Sequence, residues 1–173
     1  IADSYLSIDQ ALKHAGAALD VGVAVTWLDA QRFEQDPSRL QELEEYDGVL
    51  VPGGFGASGI EGKIAAINYV RTHNIPYLGI CYGLQLACVE YARSVCGLRA
   101  AHTTEVDQNT PHPIIDVLFA QKQVLAEHRY GGSMRLGAYP AILMKNSTVE
   151  SLYQQTGRLT EDESKVAQYA REH

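Results

Sequence analysis

The sequence has 173 residues, 46% apolar and 20% charged, which is ordinary for a folded domain with its own core. Its formal net charge of −7 argues against a nucleic-acid surface, which needs a basic stripe, and no apolar run approaches the length of a membrane span. Cys81, Cys88 and Cys96 are odd in number and follow no C-x-x-C spacing, and no secretory signal opens the chain, so a disulfide framework and a zinc site are disfavoured and a reducing, cytoplasmic setting is expected.

Ser7 to Leu19 reads as a helix, with Ile8, Leu12, Ala15 and Leu19 at helical spacing and Ser7 as its cap. Val21 to Leu28 alternates like a strand. Pro37 to Tyr46 is a polar connection with a helical turn. Gly48 to Val51 is a short apolar strand that runs into Pro52-Gly53-Gly54-Phe55-Gly56. Glu61 to His73 predicts a helix with Ile64, Ile67 and Val70 on one face, broken by Asn74-Ile75-Pro76. Tyr77 to Ile80 is a buried strand, and a helix follows from about Gly83 to Val95. Beyond Gly97 the pattern loosens. Met134 to Leu136 and Ala141 to Met144 are read as strands and Thr160 to Glu172 as a polar helical tail. Strands alternating with helices predict an α/β fold, a parallel sheet with a mixed edge covered by helices on both faces. Such a fold usually opens with a buried strand, and Ile1-Ala2-Asp3 cannot supply one.

The segment Tyr77-Leu78-Gly79-Ile80-Cys81-Tyr82-Gly83-Leu84-Gln85 carries the most chemistry. An apolar strand ends at a cysteine flanked by glycines, and a helix begins at once. This is the G-x-nucleophile-x-G elbow with Cys in place of Ser. The glycines let neighbouring backbones approach where side chains would collide. The turn lifts the sulfur above the C-terminal edge of the sheet, where α/β folds bind ligands, and the new helix aims its positive end at it. Cys88 and Cys96, within and after that helix, read as inert thiols.

Gly54-Phe55-Gly56-Ala57-Ser58-Gly59 satisfies G-x-G-x-x-G and invites a dinucleotide-binding reading. The following strand should then end in an acidic residue for a ribose, but it leads into Cys81. A glycine loop beside the nucleophile's strand suits an oxyanion hole instead, where a bare backbone N–H must reach a developing negative oxygen.

Gly53-Gly54-Phe55-Gly56 followed by Gly79-Ile80-Cys81-Tyr82-Gly83-Leu84-Gln85 resembles the class I glutamine amidotransferases, whose fold is flavodoxin-like. Further stretches are similar to the glutaminase half of the CTP synthases: Asp3 to Ser7, Glu61-Gly62-Lys63, Val89 to Arg93, Thr104 to Asp107, Asn109 to Pro113 and Gly132 to Gly137. The resemblance runs from about Asp3 to Tyr153 with the motifs in the family's order. It implies that Cys81 attacks the side-chain carboxamide of L-glutamine, and that backbone at Gly54 and Tyr82 holds the oxyanion. Gly54, Tyr82, Gly83, Leu84, Gln85 and Glu105 would bind glutamine, with Glu105 on the substrate's ammonium. Ammonia leaves, a glutamyl thioester remains, and water releases glutamate. A leucine is commoner in the family where Tyr82 stands. His112, within Pro111-His112-Pro113, does not match the family's catalytic His and reads as structural.

The resemblance also implies a synthase domain of the same polypeptide, absent from these residues, which aminates UTP to CTP with ATP and magnesium. GTP would activate the glutaminase step, and that domain would mediate a homo-oligomer. No metal or cofactor is implied for the glutaminase domain itself, nor any nucleic-acid or membrane partner. The family's base is a His oriented by a Glu two residues later. No His-x-Glu occurs in the sequence, and His173 has no orienting partner. The 173 residues are therefore read as one glutaminase domain that lacks its opening strand and its His/Glu segment, and is poorly active alone. Two other readings stay open: another elbow-cysteine hydrolase of similar fold, DJ-1-like or gamma-glutamyl hydrolase-like, and a degenerate domain that binds glutamine without turnover.

Overall fold

A computed structural model describes residues 5–54, 58–116, 139–162 and 167–172. The chain forms two compact units, residues 1–117 and residues 118–173.

In the first unit, helix α1 (Leu6–Leu19) is followed by a short helix α2 (Gln31–Gln35) and a 3-10 helix (Pro37–Glu45). Strand β1 (Val49–Val51) leads through the glycine loop to α3 (Ile60–Thr72), and β2 (Tyr77–Gly79) leads directly into α4 (Tyr82–Ser94). Strands β3 (Ala101–Thr103) and β4 (His112–Ile115) complete the unit. β1 and β2 pair in parallel with Val49 opposite Tyr77 and Val51 opposite Gly79. β3 and β4 are also parallel, with a register shift between His102 and Thr103. The parallel strands β1 and β2, joined through α3, give the α/β class that was predicted.

The predicted face of α3 is buried: Ile64, Ile67 and Val70 lie in the core. Ile60, Ile64 and Ile67 pack with Val51, Tyr82, Leu86 and Val89. Ala66 and Val70 pack with Phe33 of α2 and Leu43 of the 3-10 helix. α3 thus carries apolar contacts on two sides, and Tyr77 touches both clusters. Burying apolar surface at about 25 cal/mol per Å² makes these two clusters the main stabilising contacts around β1 and β2. The α3–α4 contact is also polar. Glu90, 1% exposed, accepts two hydrogen bonds from the Arg71 guanidinium, at 2.8 and 2.9 Å, and one from Asn68 at 2.7 Å. Burial pushes its carboxyl up, but the Arg71, Asn68 and Ser94 hydrogen bonds outweigh that and hold it below the ordinary value.

The structure corrects several expectations. Val21 to Leu28 forms no strand, and Val21, Val23, Val25 and Trp27 are exposed. Alternation describes what an extended chain could pair with, but a strand exists only once a partner supplies ladder hydrogen bonds. Ser7 does not cap α1; the helix starts at Leu6, and the preceding Tyr5 makes no side-chain cap bond but stacks on Trp27, ring centroids 5.0 Å apart. β2 is not fully buried: Tyr77 and Gly79 face inward, whereas Leu78 and Ile80 are exposed.

In the second unit, β5 (Tyr139–Ile142) pairs antiparallel with β7 (Ala167–Glu172), which also pairs with β6 (Thr160–Asp162). The segment read as a helical tail is therefore a pair of strands. Its polar sequence has no helical apolar face, so cross-strand pairing decides its conformation. The strand expected at Ala141 to Met144 occurs two residues earlier. Helix α5 (Thr148–Gln155) was not anticipated, although Ser147 caps it by accepting the Glu150 N–H at 3.1 Å, and Glu150 reaches back to the Asn146 N–H. That is a capping box, readable as Ser-x-x-Glu. The expected strand at Met134 to Leu136 lies outside the described residues, as do Phe55, Gly56 and Ala57 of the glycine loop and His173.

Candidate active site

Cys81 joins β2 to α4 with φ 51° and ψ −106°. A β-carbon at positive φ is crowded by backbone, and such a conformation costs about 1–3 kcal/mol unless its surroundings impose it. Here they do. The Ile80 N–H donates to the Val51 carbonyl at 3.0 Å, which anchors the elbow to β1. The Gly83 N–H donates to the Ile80 carbonyl at 2.9 Å, and the Gln85 N–H to the Cys81 carbonyl at 3.1 Å, which closes the first turn of α4. The Tyr77 hydroxyl donates to the Gly83 carbonyl at 2.8 Å.

Both flanking glycines are required by packing. A β-carbon on Gly83 would lie 2.1 Å from the Val51 oxygen, and one on Gly79 would lie 2.6 Å from the Gly83 carbonyl carbon. Neither site could hold a side chain without moving backbone. The sulfur is exposed at the start of α4, and Cys81 makes no side-chain cap bond there. A β-carbon on Gly53 would lie 3.4 Å from Cys81 Cβ and 3.8 Å from its Sγ. The chain leaving β1 therefore passes beside Cys81 at Gly53. Around Gly54 the space is open.

Gln85 is half-buried in the first turn of α4 and Leu84 is exposed there. Glu105 is exposed in the turn after β3, where its N–H donates to the buried Thr103 hydroxyl at 3.2 Å. The Val106 and Asp107 N–H groups both donate to the Thr103 carbonyl, so Thr103 fixes the whole turn. Tyr82, 2% exposed, lies in the core beneath the elbow. Burial and then the negative charge of Glu105 push its phenol up.

The sequence profile described as "Glutamine amidotransferase class-I" matches residues 1–167. The chain belongs to the class-I glutamine amidotransferases. Among curated relatives, it is 51% identical over 153 residues to a CTP synthase of Thermococcus kodakarensis, covering 88% of this chain and 28% of that protein. It is 51% identical over 156 residues to one of Methanocaldococcus jannaschii, covering 87% and 28%. The chain thus spans little more than a quarter of the length of these relatives. A solved structure, the glutaminase domain of Trypanosoma brucei CTPS with bound acivicin, superposes with a TM-score of 0.79 at 29% identity, covering 98% of this chain and 62% of that one. The resemblance to CTP synthases read from the motifs is borne out as a similarity.

In this amidotransferase fold, one ionic cluster was not anticipated. Arg93 donates to both Glu61 carboxylate oxygens, at 2.8 and 3.1 Å, and to the Ala101 carbonyl at 2.8 Å. His102 accepts the Thr103 N–H on Nδ1 at 2.9 Å, and its Nε2 lies 3.7 Å from Glu61. Burial and Arg93 hold its imidazole below the ordinary value, against the opposing pull of Glu61 and Asp107. Through Nδ1 His102 binds the backbone of β3, and its Nε2 stands beyond hydrogen-bond distance of Glu61. His112 lies within β4 opposite Ala101. Glu61-Gly62-Lys63 gains a reason for its glycine: a β-carbon on Gly62 would lie 2.0 Å from the Ala30 oxygen. Among the described residues no group of His, Cys, Asp and Glu could hold a metal ion, and no helix is long and apolar enough to cross a membrane.

Proposed function

We propose that this chain is the glutaminase domain of a CTP synthase. The observation that carries the reading is Cys81, held at positive φ between two glycines whose hydrogens touch backbone, with the Gly53 loop at its sulfur. The Cys81 sulfur attacks the carboxamide carbon of L-glutamine. The carbon–nitrogen bond breaks, the nitrogen leaves as ammonia after gaining a proton, and a γ-glutamyl thioester remains. Water then breaks the thioester, releases glutamate and returns the thiol. Backbone N–H groups at Gly54 and Tyr82 stabilise the oxyanion, while Gly83, Leu84 and Gln85 line the substrate and Glu105 pairs with its ammonium. The ammonia passes to a synthase domain that converts UTP to CTP with ATP and magnesium, and GTP activates the glutaminase step. Assembly into a homo-oligomer and a cytoplasmic location belong to the same proposal.

The family's His-x-Glu does not occur in these 173 residues. Protonation of the leaving nitrogen and activation of water both need such a group, and losing a general acid–base slows a reaction by about 100- to 10,000-fold. These residues alone should therefore release glutamate slowly. The test uses the protein with its native flanking sequence. Cys81→Ala should abolish glutamine-dependent CTP formation and spare formation from ammonium salts. Glutamine-dependent turnover that survives Cys81→Ala would refute the nucleophile and the scheme built on it.

A further inference from the structure

A carboxylate on the surface selects a ligand cation well only where the backbone that carries it is held still. Glu105 is exposed, in the turn that follows β3. Thr103, the last residue of β3, is only 2% exposed. Its hydroxyl accepts the Glu105 N–H at 3.2 Å, and its carbonyl accepts the Val106 and Asp107 N–H groups, each at 3.1 Å. Three consecutive N–H groups of the turn thus end on one buried residue. Thr103 is itself fixed. Its N–H donates to His102 Nδ1 at 2.9 Å. Next to it, the Thr104 N–H donates to the Ile115 carbonyl at 3.0 Å, and the Thr104 hydroxyl to the Asp116 carboxylate at 2.8 Å. The register of β3 against β4 shifts between His102 and Thr103, and such irregularities re-aim the residues beside them. Val106 packs against the core cluster that includes Val51, at the end of β1, and Leu86 of α4. Among the described residues no cation pairs with Glu105, which leaves its carboxylate available to a ligand.

We propose that Thr103 is a positioning residue for glutamine: its hydroxyl fixes the Glu105 backbone and so the point at which that carboxylate meets the substrate's ammonium. This rests on the glutaminase reading. Charge-assisted contacts depend on geometry, so a carboxylate on a looser backbone holds an ammonium less effectively. Valine in place of Thr103 would keep the branched shape and remove the acceptor, leaving the Glu105 N–H without its partner. Serine would keep the acceptor and remove a buried methyl. The two substitutions therefore separate recognition from stability.

The experiment measures the glutamine concentration that half-protects Cys81 from iodoacetamide, in the protein with its native flanking sequence, with urea unfolding of each variant. Peptide mapping isolates Cys81, because Cys88 and Cys96 are also exposed. Thr103→Val should raise the half-protecting concentration about two- to tenfold, the loss expected for one hydrogen bond. Labelling without glutamine should keep the parent's rate, since none of the bonds that close the elbow involves Thr103. Thr103→Ser should unfold more readily than the parent, yet keep half-protection near the parent's value. Combined with Glu105→Gln, Thr103→Val should add almost nothing to the effect of Glu105→Gln alone, since both act on one contact. If Thr103→Val fails to fold, Thr103→Ala takes its place. Half-protection at the parent's value in the variant without the hydroxyl, an equal rise in Thr103→Ser, or full additivity with Glu105→Gln would overturn the proposal and make Thr103 purely structural. Absence of any protection by glutamine in the parent, seen before any variant is compared, would overturn the glutaminase reading and this proposal with it.

Discussion

Gly83→Ala separates local propensity from packing, because the two predict opposite signs. Gly83 is the second residue of α4, and replacing Gly by Ala within a helix ordinarily stabilises by about 1 kcal/mol. Here the added methyl would lie 2.1 Å from the Val51 oxygen, 2.8 Å from its carbonyl carbon and 3.0 Å from its Cβ. The closest ordinary carbon–oxygen approach is about 3.3 Å, so α4 must move away from β1 by about 1 Å. The same Val51 oxygen accepts the Ile80 N–H at 3.0 Å, so the movement also stretches the bond that anchors the elbow. Overpacking costs about 1–3 kcal/mol, and the lost bond adds about 1 kcal/mol. Against the helical gain, the expected net destabilisation is about 2 kcal/mol, roughly 30-fold in the folding equilibrium. Urea unfolding measures it. Gly22→Ala serves as control, since its β-carbon meets nothing within 4 Å, and it should stay within about 0.5 kcal/mol. Labelling of Cys81 by a glutamine-mimicking chloroketone should slow in Gly83→Ala as the elbow shifts. A Gly83→Ala protein as stable as the parent, labelled at the parent's rate, would refute the claim that contact with Val51 shapes the elbow.

Other expectations follow from particular contacts. Glu90→Gln should destabilise by about 1–3 kcal/mol at neutral pH, because Arg71 loses its buried partner but remains partly hydrated. Since the Glu90 carboxyl is held below its ordinary value of 4.5, its contribution is fully present above that pH and is lost as pH falls through the folded value. Acid unfolding should therefore narrow the gap between parent and Glu90→Gln; a gap that widened on acidification would contradict the pairing. Tyr77→Phe removes the hydrogen bond to the Gly83 carbonyl and should cost about 0.5–1.5 kcal/mol in urea unfolding; no change would show that bond to be dispensable. All three cysteines are exposed, so exposure alone predicts equal labelling, whereas the elbow predicts that the chloroketone modifies Cys81 alone. Mass mapping that placed the label on Cys88 or Cys96 would end the nucleophile assignment. On the proposed glutaminase reading, Glu105→Ala should weaken use of glutamine by about one to two powers of ten and spare turnover of free ammonia; equal loss of both would make Glu105 structural.

Much of the first unit was legible in the sequence because its signals are local. The α3 face, the short strands before each glycine turn and the Cys81 elbow all show as spacing within about a dozen residues. The elbow was readable for a physical reason: a strand that turns straight into a helix at positive φ tolerates only glycines where backbones touch, and those glycines remain visible in the chain. A legible signal was missed at α5, where Ser147 and Glu150 form a capping box. The resemblance placed Glu105 in the site, but no local pattern distinguished it from a solvated loop carboxylate.

Tertiary structure decided the rest. Val21 to Leu28 alternates as a strand should, yet it remains unpaired among the described residues, because pairing is a property of two segments. Thr160–Asp162 and Ala167–Glu172 are strands by the same rule, since Ala167–Glu172 ladders with Thr160–Asp162 on one side and Tyr139–Ile142 on the other, through hydrogen bonds that no helical periodicity foretold. The proximity of Gly53 to the sulfur and the Arg93–Glu61–His102 cluster each join residues about 30 to 40 positions apart. By itself the sequence determined which backbone could turn sharply and which side chains could react. Only the folded chain decided which of them meet, because such contacts depend on how α3, α4 and the parallel strands pack, and no short window of sequence contains that information.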